Sequence, residues 1–214
     1  MSFTKVYSAG LQGVDAFLIH VELDNRMSQL PSWTTVGLPE SAVKEGKDRV
    51  IAAIKNSGYD ISFRKVTINL APADTKKEGT AYDLPIAVAL MITGELLEAQ
   101  MVESTLLVGE LSLTGELRSV RGVLSMAIMA KEQGIRRIFV PKDNVNEAAV
   151  VPEVEVYGFQ DLSEVVEFLF GRLKKEPAKQ TEFYADEVES VEDYSDICGQ
   201  QQAKRAMEVA ASGG

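Results

Sequence analysis

Eleven residues, ADTKKEGTAYD at 73 to 83, gather Asp74, Lys76, Lys77, Glu78 and Asp83 between a strand-like run and a helix-like one. Loops at such junctions often carry binding or catalytic groups, because a rigid scaffold holds them while their sequence is free to vary. The plainer reading is a solvated loop. Lys77 and Asp83 could also form an ion pair fixing the loop, worth only about 0 to 1 kcal/mol at a surface. Gly79 would allow close approach of a partner to the backbone. Arg118 and Arg121, with Arg136 and Arg137 further on, are a second cluster. It reads either as a small basic patch or as solvated charges bracketing a strand and a helix.

Other chemistries are excluded by what is scarce. The single histidine, His20, sits inside an apolar alternating run and reads as a packed side chain without a role. One histidine and one cysteine, Cys198, in different segments leave no cysteine-based zinc site, metal cluster or Ser-His-Asp triad. A lone cysteine also permits no internal disulfide, which suits a reducing, cytoplasmic compartment. Cys198 reads as a packing residue at a helix start.

The net charge of −10 is unevenly placed: residues 1 to 175 carry 19 basic and 23 acidic groups, a balance of −4, and the remainder carries −6. Electrostatic binding of duplex nucleic acid rests on clustered Lys and Arg that release counterions, so the whole chain is not such a binder, although a local patch is compatible with this balance. The opening MSFTKVYSAGLQGV has no basic start, apolar run and cleavage site of a secretory signal. No uncharged apolar stretch reaches the roughly 18 residues of a membrane span. The nearest, Leu84 to Leu97, is interrupted by Pro85, Gly94 and Glu95.

The elements that must position these groups follow from periodicity. Val14 to Leu23, Trp33 to Val36 and Lys65 to Leu70 read as strands, and Pro39 to Asn56 as an amphipathic helix ended by Gly58. Tyr82 to Leu97 is apolar on nearly all sides and predicts a central buried helix, with Pro85 tolerated in its first turn. Thr105 to Val108 and Leu117 to Val120 flank the turn LSLTGE as a hairpin or paired strands. A helix from Val123 to Gln133, a strand at Ile135 to Val140, a short helix at Val145 to Val150, a strand at Val154 to Phe159 and a helix at Leu162 to Phe170 complete the pattern. The fold class is α/β (α+β), a mixed sheet with packed helices.

Three parts are expected: a domain over 1–172, an acidic linker over 173–193, and a helical start of another module over 194–214. The last part, DICGQQQAKRAMEVAASGG, resembles the short helix that precedes the glycine-rich phosphate loop of many ATPases. The loop itself, G-x-x-x-x-G-K-[ST], is absent, so no residue here cradles nucleotide phosphates.

Four segments are distinctive together: VGLPESAVKEGKDRVIAAIKNSGY (36–59), INLAPADTKKEGTAYDLPIAVAL (68–90), GELSLTGELRSVRGVL (109–124) and DICGQQQAKRAMEVAASGG (196–214). They resemble the ComM family, also called YifB or magnesium-chelatase-like AAA+ proteins, and the resemblance spans the chain. It implies that 1–172 takes the fold of the Lon proteolytic domain, of the ribosomal-protein-domain-2-like type, also found in the recombination protein RadA. Lon-type proteases use a Ser-Lys dyad. By the resemblance, the serine position is Ala81 and the lysine position Leu124, neither of which can do that chemistry. A displaced dyad from Thr80 with Lys76 or Lys77 is the lesser alternative.

The resemblance further implies a parent that is an ATP- and Mg-dependent, ring-forming (hexameric) motor driving DNA branch migration in recombination and natural transformation. This stretch would itself be non-enzymatic and without cofactor, with Ile197 and Gly199 on the adenine side of the parent's nucleotide site. Lys76, Lys77, Arg118 and Arg121 are the expected DNA contacts, as basic groups at one sheet edge, and no membrane contact is expected. A regulatory or protein-interaction domain of a chelatase-like or protein-remodelling ATPase, and a cryptic peptidase, are the competing readings.

Overall fold

Strand β2 (Asp15–Arg26) shows how the sheet is driven: Ile19, Val21 and Leu23 are fully buried on one face, and the residues between them are half-covered on the other. In the computed structural model, which describes residues 3–26, 28, 30–61, 65–181 and 196–212, β2 is central to a seven-stranded sheet. The order is β3 (Ser32–Val36), β4 (Lys65–Ala71), β2, β1 (Phe3–Gln12), β5 (Thr105–Leu107), β8 (Arg137–Pro141) and β9 (Glu155–Phe159). The pairs β1–β2 and β2–β4 are antiparallel, and β3–β4, β1–β5, β5–β8 and β8–β9 parallel, so the sheet is mixed as expected.

β1 was not among the expected strands. The turn LSLTGE does join a hairpin, but its arms are the short strands β6 (Glu110–Leu111) and β7 (Leu117–Arg118) in a separate two-stranded sheet. The run at Thr105 instead supplies β5 to the main sheet, so the pairing of Thr105–Val108 with Leu117–Val120 is corrected.

Alternate residues of the strands feed two cores. Leu107 and Phe139 face a cluster built with α1 (Ser41–Asn56), α2 (Asp83–Thr93) and α5 (Leu162–Leu169). Their neighbours Leu106, Val108, Ile138 and Val140 face a second cluster with α3 (Val123–Glu132) and α4 (Val145–Ala148). Every residue of α2 is buried, which is why its sequence shows no polar stripe. Asp161 caps α5 by accepting the Glu164 N–H at 2.9 Å.

The start of the expected linker lies against the domain. The N–H of Ala178 donates to the Val156 carbonyl at 2.8 Å, and Lys175 Nζ reaches Gly158 O at 2.8 Å and Glu164 at 2.9 Å. The rest of the linker, from residue 182, falls outside the described residues up to Asp196. The chain divides into two compact units, 1–182 and 183–214. The described part of the second is the turn at Asp196 to Gln200 and helix α6 (Gln201–Ala211), none of whose residues is buried within it. No helix among the described residues is long and apolar enough to cross a membrane.

Candidate functional site

The loop between β4 and α2 is fastened by Lys77, but not in the way its sequence suggests. Its backbone N–H donates to Leu38 O and its carbonyl accepts from the Glu40 N–H, both at 3.1 Å, so the segments at 36–59 and 68–90 are locked together. Its side chain is fully buried, 0% exposed. The ammonium donates to the carbonyls of Pro72 and, at 2.5 Å, Thr75, closing the loop on itself. Burial lowers the Lys77 pKa, and Asp74 partly restores it. Two expectations are corrected here: Lys77 is not an exposed basic group available to DNA, and it does not pair with Asp83.

Asp83 pairs instead with Arg49 of α1, a residue without a role in the sequence reading, at 2.8 Å. The Leu111 N–H adds a bond to the same carboxylate at 3.2 Å. Asp83 thereby ties α1, α2 and β6 together and fixes where Glu110, the neighbour of Leu111, projects.

Glu110 faces a cleft of about 460 Å³ whose lining includes Ala9, Leu11, Thr80, Ala81, Arg121 and Met126. The Thr80 hydroxyl donates to Glu110 Oε2, and Arg118 Nη1 lies 3.7 Å from Oε1 of the same carboxylate. The hydroxyl next to the expected serine position therefore has a carboxylate partner rather than a lysine. Its place in a displaced dyad with Lys77 is not supported, since that ammonium is engaged by carbonyls. Gly79 enters the cleft wall with a φ of +82°, a left-handed conformation suited to glycine.

The segment from Ser119 to Arg121 also lines the cleft. Asn144, buried beneath it, closes both amide bonds on Val120 and donates a third to Glu147. Glu147 in turn accepts the Leu124 N–H at 3.1 Å. Ala81 lines the cleft, whereas Leu124 is 37% exposed on α3 and does not. Of the expected basic contacts, Lys76, Arg118 and Arg121 are exposed. Lys76 is held by Glu40 and, at 3.4 Å, by Glu78, and this raises its pKa. Arg121 makes no ion pair among the described residues.

His20 packs edge-on to Tyr7 with ring centroids 5.4 Å apart, a packing role like the one expected. In the second unit Ile197 is exposed, its carbonyl accepts from the Lys204 ammonium, and Gly199 has a φ of +76°. Sequence reasoning missed Glu110, Arg49 and Asn144. Glu110 lies inside the quoted segment 109–124, so the signal for it was present, whereas nothing local marks residue 49 as the partner of residue 83.

The family described as subunit ChlI of Mg-chelatase matches residues 21–144. The chain is 44% identical over 214 residues to the uncharacterized protein YifB of Escherichia coli, covering 100% of this chain and 42% of that one. It is 40% identical over 218 residues to the competence protein ComM of Haemophilus influenzae, again covering 100% of this chain and 42% of the other. Against an archaeal Lon protease of Methanothermobacter thermautotrophicus the identity is 29% over 154 residues, 69% of this chain and 24% of the protease.

Proposed function

Since the chain belongs to the family of subunit ChlI of Mg-chelatase, with the Mg-chelatase-like AAA+ proteins YifB and ComM as relatives, we propose that it is the non-catalytic Lon-like part of an ATP-driven DNA motor. What supports the non-catalytic part of this reading is the alanine and leucine at the positions that the Lon resemblance gives to the dyad, Ala81 and Leu124. Ala81 offers no nucleophile to the cleft it lines and Leu124 no amine, so the cleft cannot run the Ser-Lys mechanism. Whole-chain identity to a competence protein supports the motor's role in recombination of incoming DNA.

The chain spans 42% of the length of YifB and of ComM, and the motor belongs to the longer protein. There ATP and Mg drive a hexameric ring in the cytoplasm, and Ile197 and Gly199 border the adenine. The domain over 1–172 scaffolds the ring and touches DNA through Lys76, Arg118 and Arg121. Fixing Lys76 between Glu40 and Glu78, and the approach of Arg118 to Glu110, weaken the shares of both, so Arg121 carries more of the binding.

The test is ATP hydrolysis by the full-length protein with forked DNA, duplex DNA or an unfolded protein as stimulant. Forked DNA should stimulate most. Stimulation by unfolded protein alone would favour a protein-remodelling motor, and stimulation by none a chelatase-like one. Reversing Arg118 and Arg121 to Glu should weaken DNA binding and flatten its salt dependence, by about one unit of log–log slope for each phosphate that is no longer neutralised. An unchanged slope removes this surface from the interface.

A further inference from the structure

We propose that the outer edge of β3 pairs, antiparallel and about a two-fold axis at Thr34, with the same edge of a second copy of this chain. The seven-stranded sheet ends on β3 at one side and on β9 at the other. The β9 edge is covered: Ala178 donates its N–H to the Val156 carbonyl and Lys175 its ammonium to that of Gly158, both at 2.8 Å. β3 pairs with β4 on one side and has no strand partner on the other among the described residues.

An uncovered edge leaves a row of backbone donors and acceptors ready to pair with another chain, and proteins usually blunt it with charge, proline or a bulge. β3 carries none of these. Its sequence is SWTTV, its register against β4 is unbroken, and Pro31 stands just outside it. No residue of the strand is buried. The Trp33 ring packs against the first core and its indole N–H donates to the Thr35 hydroxyl at 3.2 Å, so Ser32, Thr34 and Val36 are the exposed set.

The strand is matched to its own copy. A two-fold pair places Thr34 opposite Thr34 and Ser32 opposite Val36, so no charges are opposed and a β-branched pair sits at the centre. Leu30 and Leu38 stand at equal distance in sequence from Thr34 and are 78% and 55% exposed, so the same axis brings Leu30 of one copy to the strand end that carries Leu38 of the other. The joined sheet ends on a covered β9 at both sides, and association stops at two copies. Neighbours within a cyclic ring meet through unlike surfaces, so this like-to-like contact joins one ring to another. That consequence rests on the ring proposed above, whereas the pairing itself does not.

The 214-residue chain is followed by sedimentation velocity and by NMR from micromolar to millimolar concentration. A short edge makes a small interface, so a transient dimer forming at roughly 0.1 to 1 mM is expected, with amide shifts concentrated at Ser32 to Val36. Thr34→Lys and Thr34→Glu, exposed changes compatible with folding, each set like charges on the axis and should weaken self-association about fivefold or more. An equimolar mixture of the two should pair at least as tightly as the unmodified chain, a rescue that requires residue 34 to face its own copy. The proposal is overturned by a monomer throughout, by shifts outside β3, by unchanged association of both variants, or by a mixture no tighter than either alone. A short threonine–valine peptide that shifts the same amides while the chain stays monomeric would also overturn it, by making a peptide the occupant. In the full-length protein, rings of the unmodified chain should associate in pairs and rings of Thr34→Lys should not; equal ring masses would overturn the contact between rings.

Discussion

Arg49 and Asp83 meet as fork on fork between the first two helices: Nε lies 2.8 Å from Oδ2 and Nη2 lies 3.2 Å from Oδ1. Asp83 is 2% exposed, and Arg49 also donates to the Ala42 carbonyl at 3.2 Å. Removing one partner of a buried pair strands the other charge, which costs about 3 to 5 kcal/mol, whereas replacing both by apolar groups is often neutral. Arg49→Met should therefore lower stability in urea at pH 7 by that amount, and Arg49→Met with Asp83→Leu should recover most of it. A single-variant loss below about 1 kcal/mol would mean that the pair does not hold the helices together.

The same carboxylate sets a pH dependence of unusual sign. Burial raises Asp83 to about 6, with the Arg49 bonds pulling the other way. An unfolded aspartate titrates near 3.9, so between about pH 4 and pH 6 the folded chain binds the extra proton. The stability this group contributes is complete below about pH 4 and is lost as pH rises through about 6, by at most roughly 3 kcal/mol. Comparing urea midpoints at pH 4.5 and 7 should show that Asp83→Asn removes a decline with pH. If the variant instead removes a rise, Asp83 stays ionised throughout and Arg49 outweighs its burial.

The parts of the fold that the residues announce are those with strong local contrast. The all-round apolar run after Tyr82 predicts a buried helix, and every residue of α2 is buried. β1 escapes notice because FTKVYSAGLQ places small and hydroxylated residues, Thr4, Ser8 and Ala9, at buried positions, which erases the apolar alternation. The cleft divides in the same way. Ala81 is marked by a local motif, but the Arg49–Asp83 pair and the grip of Asn144 on Val120 join residues far apart in sequence and leave no periodic trace. Lys77 misleads for a related reason: a lysine in a polar loop reads as solvated, yet this one finds carbonyls within its own loop.

Asn144 gives the arm at Ser119 to Arg121 its shape. Its Oδ1 accepts the Val120 N–H at 2.9 Å and its Nδ2 donates to the Val120 carbonyl at 2.8 Å. Asn144→Ala leaves both backbone groups without these bonds, at a cost of about 1 to 3 kcal/mol. Hydrogen exchange at the Val120 amide should accelerate more than exchange in β2. Equal acceleration everywhere would assign Asn144 to global stability rather than to the arm.

Gly37 holds the junction between β3 and α1 at a φ of +95°, and a Cβ built there would sit 2.3 Å from the Leu70 carbonyl oxygen. Both the dihedral and the close approach exclude a side chain, because the obstacle is backbone and cannot rotate away. Gly37→Ala should cost about 2 kcal/mol or more, above the roughly 1 kcal/mol of an ordinary left-handed alanine. Gly58→Ala supplies the reference, since Gly58 has a φ of +85° with nothing near its Cβ position among the described residues. Equal losses for the two would show that the dihedral alone matters.

The hydroxyl of Ser8 is fully buried, 0% exposed, and has no hydrogen-bond partner among the described residues. A buried polar group without a partner costs about 1 to 3 kcal/mol of desolvation, and alanine removes the group with little change in volume. Ser8→Ala should then leave stability unchanged or raise it by up to about 2 kcal/mol. Ser112 is the control: its Oγ accepts the Glu116 N–H at 3.0 Å and pairs with Thr114 at 2.8 Å, so Ser112→Ala should lower stability. A loss of about 1 kcal/mol or more in Ser8→Ala would mean that a bridging water satisfies the hydroxyl, which would make β1 a hydrated strand rather than a dry one.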